Sequence, residues 1–78
     1  PRPLWLLAQA EPLVVRDGLP CWQGGLELEG ERERIESAWW ADGGVARDYF
    51  VARTGVGERL WIYRDMRSNQ WFIQGFFG

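Results

Sequence analysis

Three groups of side chains have the types and spacing to carry chemistry, and the first is a run of carboxylates. Four glutamates recur at every second position: Glu27, Glu29, Glu31 and Glu33. On an extended strand they would share one face, where their oxygens could hold a hard cation such as Ca²⁺. However, arginines are interleaved at positions 32 and 34, and no Asn/Asp/Gly loop of the Ca²⁺ type is present. The stretch therefore predicts a plain acidic surface and no metal site.

The second group contains the possible nucleophiles, Cys21, Ser37 and Ser68. The chain has no histidine, so no imidazole is present to activate them or to complete a zinc site of the usual kinds. The single cysteine cannot form an internal disulfide. The sequence therefore predicts no catalytic residue, no cofactor and no enzymatic activity.

The third group mixes arginine with aromatic rings in the second half of the chain: Arg53, Arg59, Arg64, Arg67, Tyr49, Trp61, Tyr63 and Trp71. We interpret it first as the core of a small domain with arginine stems packed at its edge. A protein-docking surface comes second, because exposed Trp, Tyr and Arg dominate interface energies. Contact with single-stranded DNA comes third, with bases stacking on the rings and arginine following the backbone. Asp48, among these residues, is interpreted as a structural partner of an arginine.

Composition limits what can position these groups. At 78 residues the chain is one domain at most, and six Trp, four Phe and two Tyr can supply an aromatic-rich core. The net charge of −2 argues against a free-standing nucleic-acid binder, although residues 1–46 carry −4 and residues 47–78 carry +2. No apolar run is long enough for a membrane span or a signal peptide, so a cytoplasmic location is expected. A start at Pro1 without Met predicts that residues 1–78 are one small domain of a longer protein.

The second half of the chain predicts three successive strands. Residues 47–54 and 58–65 are rich in aromatic and β-branched residues, and the short glycine loop 55–57 between them indicates a hairpin. A break at 66–69 precedes a third strand at 70–77. Alternation leaves both faces of this meander apolar. One face should pack inside, and the other must be covered by the first half or offered to a partner.

The first half is less regular. Short strands are predicted at 4–7 and 11–20, the second running into a turn at Asp17 and Gly18. Residues 26–29 alternate leucine with glutamate, which predicts a half-buried strand, and the charged residues 31–34 predict a solvated turn or strand end.

Ser37 can cap one helical turn that contains Trp39 and Trp40. The predicted fold is therefore mostly β: a small antiparallel sheet or rolled barrel, with a three-stranded C-terminal meander and one short helical turn.

The C-terminal stretch also has the spacing of a sliding-clamp docking peptide. Gln70, Ile73, Phe76 and Phe77 follow the pattern Q-x-x-I-x-x-F-F. In a strand, Gln70 and Phe76 would point one way and Ile73 the other, whereas a clamp peptide needs its apolar anchors on one side of a helical turn. Gly75 disfavours a helix by about 1 kcal/mol relative to Ala. A third strand is the favoured interpretation.

Several motifs, in their order and spacing, resemble the C-terminal region of ImuB-type proteins. They are "RPLWLL" and "EPL" near the start, "RIES-x-WW", "RDYFVAR", "LWIYRD" and the terminal "WFIQGFFG". ImuB-type proteins are Y-family DNA polymerase relatives of bacterial damage-induced mutagenesis cassettes. The chain departs from the pattern at Gln74, where the resemblance leads us to expect histidine.

The resemblance implies an adaptor function without catalysis. ImuB-like proteins lack the polymerase carboxylates and bring together the sliding clamp, a RecA-related accessory protein and an error-prone DnaE-type polymerase for translesion synthesis. Their C-terminal region is associated with partner binding, and their clamp-binding segment is expected upstream of it. We therefore expect a protein-interaction module of SOS mutagenesis that binds the DnaE-type polymerase, the RecA-related protein or both, with the clamp bound elsewhere in the parent protein.

Two sets of candidate site residues follow from these interpretations. The predicted docking surface contains Trp40, Trp61, Arg64 and Trp71. The alternative function, contact with single-stranded DNA or a primer-template, would use Arg53, Arg59, Arg67 and Tyr63.

Overall fold

The computed structural model describes residues 5–37 and 45–77. Its strands are β1 Trp5–Pro12, β2 Val14–Arg16, β3 Leu19–Cys21, β4 Glu27–Ser37, β5 Val45–Arg53, β6 Arg59–Asp65 and β7 Trp71–Phe76. Within these ranges there is no helix of the length and apolarity that a membrane crossing requires. The predicted helical turn at Trp39 and Trp40 lies outside the described residues.

Five strands form one open antiparallel sheet in the order β1-β7-β6-β5-β4, and β2 pairs with β3 in a separate hairpin. The mostly β class and the C-terminal meander β5-β6-β7 are confirmed. Of the two predicted architectures, the described strands form the small sheet and do not close into a barrel.

The predicted turn at Asp17 and Gly18 and the short strand that runs into it are confirmed, but the predicted bounds of that strand, 11–20, are not. Both residues have positive φ, 52° and 78°, and Arg16 pairs with Leu19 across them. Two consecutive positive φ values are typical of a two-residue hairpin turn that follows the twist of its strands. The region predicted as one strand is therefore divided between the end of β1 and the short strands β2 and β3.

A bulge in β4 explains why the prediction for residues 31–34 is wrong. These residues lie inside β4 and are neither a turn nor a strand end. Glu29 pairs with Val51 and pairing resumes at Glu33 with Tyr49, so β4 contains extra residues at this point. Gly30 has a φ of 66°, and this left-handed conformation lets the strand absorb them.

A second bulge lies in β7, which is confirmed as a strand. Trp61 pairs with Gly75 and Ile62 with Ile73, so Gln74 is the extra residue. This extra residue shifts the alternation of side chains between the two faces, so Phe76 lies beside the core that contains Ile73. The prediction that these two side chains point in opposite directions is therefore wrong. The strand is central, paired with β1 and β6, and such a strand cannot leave as a free clamp peptide without breaking two ladders.

The core lies on one face of the sheet, which we call the core face. Ala52, Leu60, Ile62 and Ile73 are fully buried there. The segment before and after the small hairpin covers them through Leu13, Leu26 and the partly buried Trp22. The amide of Leu13 donates to the carbonyl of Trp71 at 2.9 Å and so fastens this segment to the sheet. Within the described ranges the apolar core therefore has two layers, the sheet and this segment.

Candidate functional site

The predicted docking residues do not share one surface. Strand β6 pairs with β5 without interruption, so its side chains alternate strictly between the two faces. Arg64 lies on the core face with Ile62, and its cross-strand partner on β7 is Trp71. Trp61 lies on the opposite face, which we call the tyrosine face, and Trp40 lies outside the described residues. Two of the four predicted residues, Arg64 and Trp71, are brought together.

The tyrosine face is a packed row of rings. Trp61 stacks on Tyr49 with centroids 4.5 Å apart, and Tyr63 contacts Tyr49 at 5.2 Å and Phe72 at 5.1 Å. The Arg47 guanidinium lies 4.4 Å from the centre of the Tyr63 ring. Tyr63 is only 4% exposed, and burial raises the pKa of its hydroxyl group. Its ring is engaged by its neighbours and has no open surface on which a nucleobase could stack.

The three arginines of the predicted DNA-contact set lie at opposite ends of the meander. Arg53 and Arg59 pair across the β5-β6 hairpin near its loop, and Arg59 forms an ion pair with Glu29 at 3.3 Å. Arg67 lies in the turn after β6. The intervening strand spans about 20 Å at the usual rise per residue. The set therefore does not form a continuous track.

The geometry instead singles out a row of side chains across four strands on the core face. In register, Arg34 of β4 pairs with Asp48 of β5, Asp48 with Arg64 of β6, and Arg64 with Trp71 of β7. Arg34 donates to Asp48 through Nε and Nη2, at 2.7 and 3.1 Å. Arg32 adds a third guanidinium, with its Nε 4.0 Å from Oδ1 of the same carboxylate. We call the three arginines around Asp48 the arginine cluster.

Asp48 is the buried centre of this cluster. Its side chain has 0% exposure, whereas those of Arg32, Arg34 and Arg64 are 54%, 39% and 34% exposed. The hydrogen bonds from Arg34 hold the pKa of Asp48 below its usual value, and they outweigh the opposite effect of burial. The interpretation of Asp48 as a structural partner of an arginine is confirmed.

Arg64 is held in place while much of its hydrogen-bonding capacity is unused. Its Nη2 lies 3.6 Å from Oδ2 of Asp48 and 3.7 Å from the sulfur of Met66, and its guanidinium lies 5.8 Å from the centre of the Trp71 ring. Its buried Nε has no acceptor among the described residues. Trp71 in turn packs against Phe50 at 5.4 Å, and both rings remain partly exposed. A fixed cation beside an accessible apolar surface can bind an anionic group with apolar neighbours.

Arg32 and Arg34 were not predicted from the sequence to belong to a site. The one available signal was their alternation with glutamates, but the bulge at Gly30 decides which of these side chains reach Asp48. The glutamates do not gather either: in the described ranges no group of three or more carboxylates, cysteines or histidines could hold a metal ion. Glu31 and Glu33 line an open cleft beside Trp61, and Glu29 is paired with Arg59.

Comparison with known proteins adds no relative to this description. No family model, no curated protein and no solved structure matches the chain.

Proposed function

We propose that this chain is a non-catalytic protein-interaction module of a translesion synthesis adaptor that acts in the bacterial cytoplasm. The sequence resemblance to the C-terminal region of ImuB-type proteins suggests the process and the partners. These are an error-prone DnaE-type polymerase, a RecA-related accessory protein or both, with the sliding clamp bound by other parts of the parent protein.

The observation that carries the proposal is the adjacency of Arg64 and Trp71 on the core face. Both are partly exposed, and both are residue types that dominate the binding energy of protein interfaces. Asp48 and Met66 restrain the guanidinium, so little side-chain freedom remains to be lost on binding. We call Arg64, Trp71, Phe50 and Met66 the Arg64–Trp71 surface.

The alternative function, contact with single-stranded DNA or a primer-template, has less support. Tyr63 is buried, and Arg53 and Arg59 lie at the opposite end of β6 from Arg67. Stacking platforms for single strands need accessible rings beside a continuous basic groove. The excess of acidic over basic residues in the whole chain also opposes a polyanion.

The proposal is tested by recording amide NMR spectra of the labelled chain while the DnaE-type polymerase from the same genome is added. We expect selective broadening at Arg64, Met66 and Trp71, with little change at Arg53 and Arg59. Arg64→Gln should weaken the effect. It is preferred to a Trp71 variant because Trp71 packs against the core.

An unchanged spectrum would refute the polymerase as the partner, and the RecA-related protein would then be added in the same way. Broadening confined to Arg53, Arg59 and Arg67 on addition of single-stranded DNA would support the alternative function instead. Such binding should weaken steeply with salt, because arginine contacts to phosphates release counterions.

A further inference from the structure

We infer that the arginine cluster is a receptor for one carboxylate group of an acidic partner segment, whose apolar neighbours pack on Trp71 and Phe50. The inference rests on the proposed function and specifies the chemistry of the partner.

The cluster places three arginines around one carboxylate. Arg34 binds Asp48 through two hydrogen bonds and satisfies most of the carboxylate. Arg32 and Arg64 approach the same carboxylate at only 4.0 and 3.6 Å, and neither pairs with another carboxylate of the described ranges. The single buried carboxylate therefore lies beside two arginines whose positive charge it does not neutralise. A second anion would reduce the repulsion between these arginines.

Arg32 and Arg64 also have hydrogen-bond donors that the described residues do not use. A guanidinium has five N–H donors in a planar fork that matches a carboxylate. For Arg64 the described residues provide polar contacts only to Nη2, which donates to the sulfur of Met66 at 3.7 Å and lies 3.6 Å from Oδ2 of Asp48, beyond the distance of a good N–H···O hydrogen bond. Arg32 has no hydrogen-bond partner in the same ranges and is 54% exposed. Arg32, and Arg64 through donors other than its buried Nε, can therefore direct free N–H groups toward an incoming oxyanion without breaking an existing bond.

The placement of the arginines and of the partly exposed rings favours a carboxylate on a protein over the phosphates of a nucleic acid. By strand alternation the other arginines of β5 and β6, which are Arg47, Arg53 and Arg59, lie on the tyrosine face. These strands therefore do not extend the cluster into a basic track that a polyanion would follow, whereas a single carboxylate needs only the cluster. The partly exposed rings of Trp71 and Phe50 beside Arg64 offer apolar contact, which suits leucine-like neighbours of an acidic residue.

The test uses a short capped peptide of alternating Glu and Leu, its Gln and Leu counterpart, and a dT oligonucleotide. Backbone amide and arginine Nε–H signals of the labelled chain are followed during each titration. We expect the Glu peptide to shift the signals of Arg32, Arg64 and Trp71 saturably, and the Gln peptide to leave them unchanged. Arg32→Gln should weaken this binding by about tenfold, the loss expected for one charge-assisted hydrogen bond. Arg53→Gln, which changes an exposed arginine far from the cluster, should not.

Three results would overturn the inference. The first is equal shifts with the Glu and Gln peptides. The second is no shift with either peptide at millimolar concentration, and the third is stronger binding of the oligonucleotide to the same signals. Because the peptides replace the polymerase, the two proposals fail separately. If the polymerase broadens Arg64 but the Glu peptide does not bind, the carboxylate inference fails and the proposed function stands. If the Glu peptide binds but the polymerase does not, the proposed partner fails.

Discussion

Asp48 has no exposed side-chain surface, and three guanidinium groups surround it. A buried carboxylate must be paired and hydrogen-bonded, and here Arg34 meets that requirement with a two-point interaction across the β4-β5 pair. The same carboxylate restrains Arg64. One residue therefore links the stability of the sheet to the position of the candidate binding residue.

Replacing Asp48 by asparagine should lower the free energy of unfolding by about 2 kcal/mol, because a charge-assisted pair is lost while its arginine partners can still be hydrated. Urea denaturation measures the change. Glu27→Gln is the matched control, since Glu27 is exposed on the same sheet, and it should stay within about 0.5 kcal/mol of the parent chain. Equal stability of Asp48→Asn and the control would show that the cluster does not stabilise the fold.

The stability that Asp48 contributes should depend on pH in one direction. The pKa of Asp48 is lower in the folded chain than the value near 3.9 expected when the chain is unfolded. Its contribution is therefore fully present above about pH 4 and is lost as the pH falls through the folded pKa. The difference in free energy of unfolding between the parent chain and Asp48→Asn should be constant from about pH 7 to about pH 5 and shrink toward pH 3. A difference that stays the same at acid pH would contradict the assigned pairing.

At the scale of residues, the sequence could predict that Asp48 binds an arginine, but not which one. The partner depends on cross-strand register, and register in β4 depends on the bulge after Glu29. Arg64 and Trp71 were predicted as binding residues from their types. Strand alternation explains why Arg64 and Trp71 lie on the opposite face of the sheet from Trp61. Which face the first half of the chain covers could not be predicted from the sequence.

At the scale of elements, glycines with positive φ allow β4 and the small hairpin to take their shapes. Gly30 has a φ of 66° and no atom within 4 Å of the place where a Cβ would lie. Its role is therefore conformational and does not come from close packing. The bulge at this glycine brings Arg34 into register with Asp48 and lets Arg32 reach it.

Gly30→Ala should destabilise the chain by about 1 kcal/mol, the cost of placing a Cβ in the left-handed region. Gly55→Ala is the control, because Gly55 does not itself have a positive φ and is also free of neighbours at the Cβ position. The control should leave the free energy of unfolding unchanged or raise it slightly. Thermal or urea denaturation compares the two variants, and equal effects would argue against a strained bulge at Gly30.

Most of the elements could be predicted from the sequence, because alternation and turn residues are local signals. The strands of the meander and the turn at Asp17 and Gly18 were found in this way. The bulges at Gly30 and Gln74 were not, since an extra residue in a strand leaves the composition unchanged and shows itself only through its partner strand. At the second bulge, Gln74 Nε2 donates to the carbonyl of Leu7 at 3.4 Å, a contact that joins residues far apart in the sequence.

At the scale of the whole molecule, the partly exposed regions on the two faces of the sheet carry charges of opposite sign. The tyrosine face has Trp61 beside Glu31 and Glu33, and the core face has Arg64 and Trp71 beside the arginine cluster. The net charge of the two halves of the chain, −4 and +2, does not reveal this arrangement, because Arg32 and Arg34 come from the acidic half. The sheet brings them to the basic half through a single strand pair.

The most direct test of a docking function for the Arg64–Trp71 surface is the dissociation constant of the DnaE-type polymerase for three forms of this chain: the parent, Arg64→Gln and Arg53→Gln. Urea denaturation first establishes that all three are equally folded. We predict that Arg64→Gln weakens binding by about tenfold or more, as expected for a residue that dominates an interface, and that Arg53→Gln leaves it unchanged. Equal affinities for the parent and Arg64→Gln, or a larger loss with Arg53→Gln, would contradict the assignment of this surface.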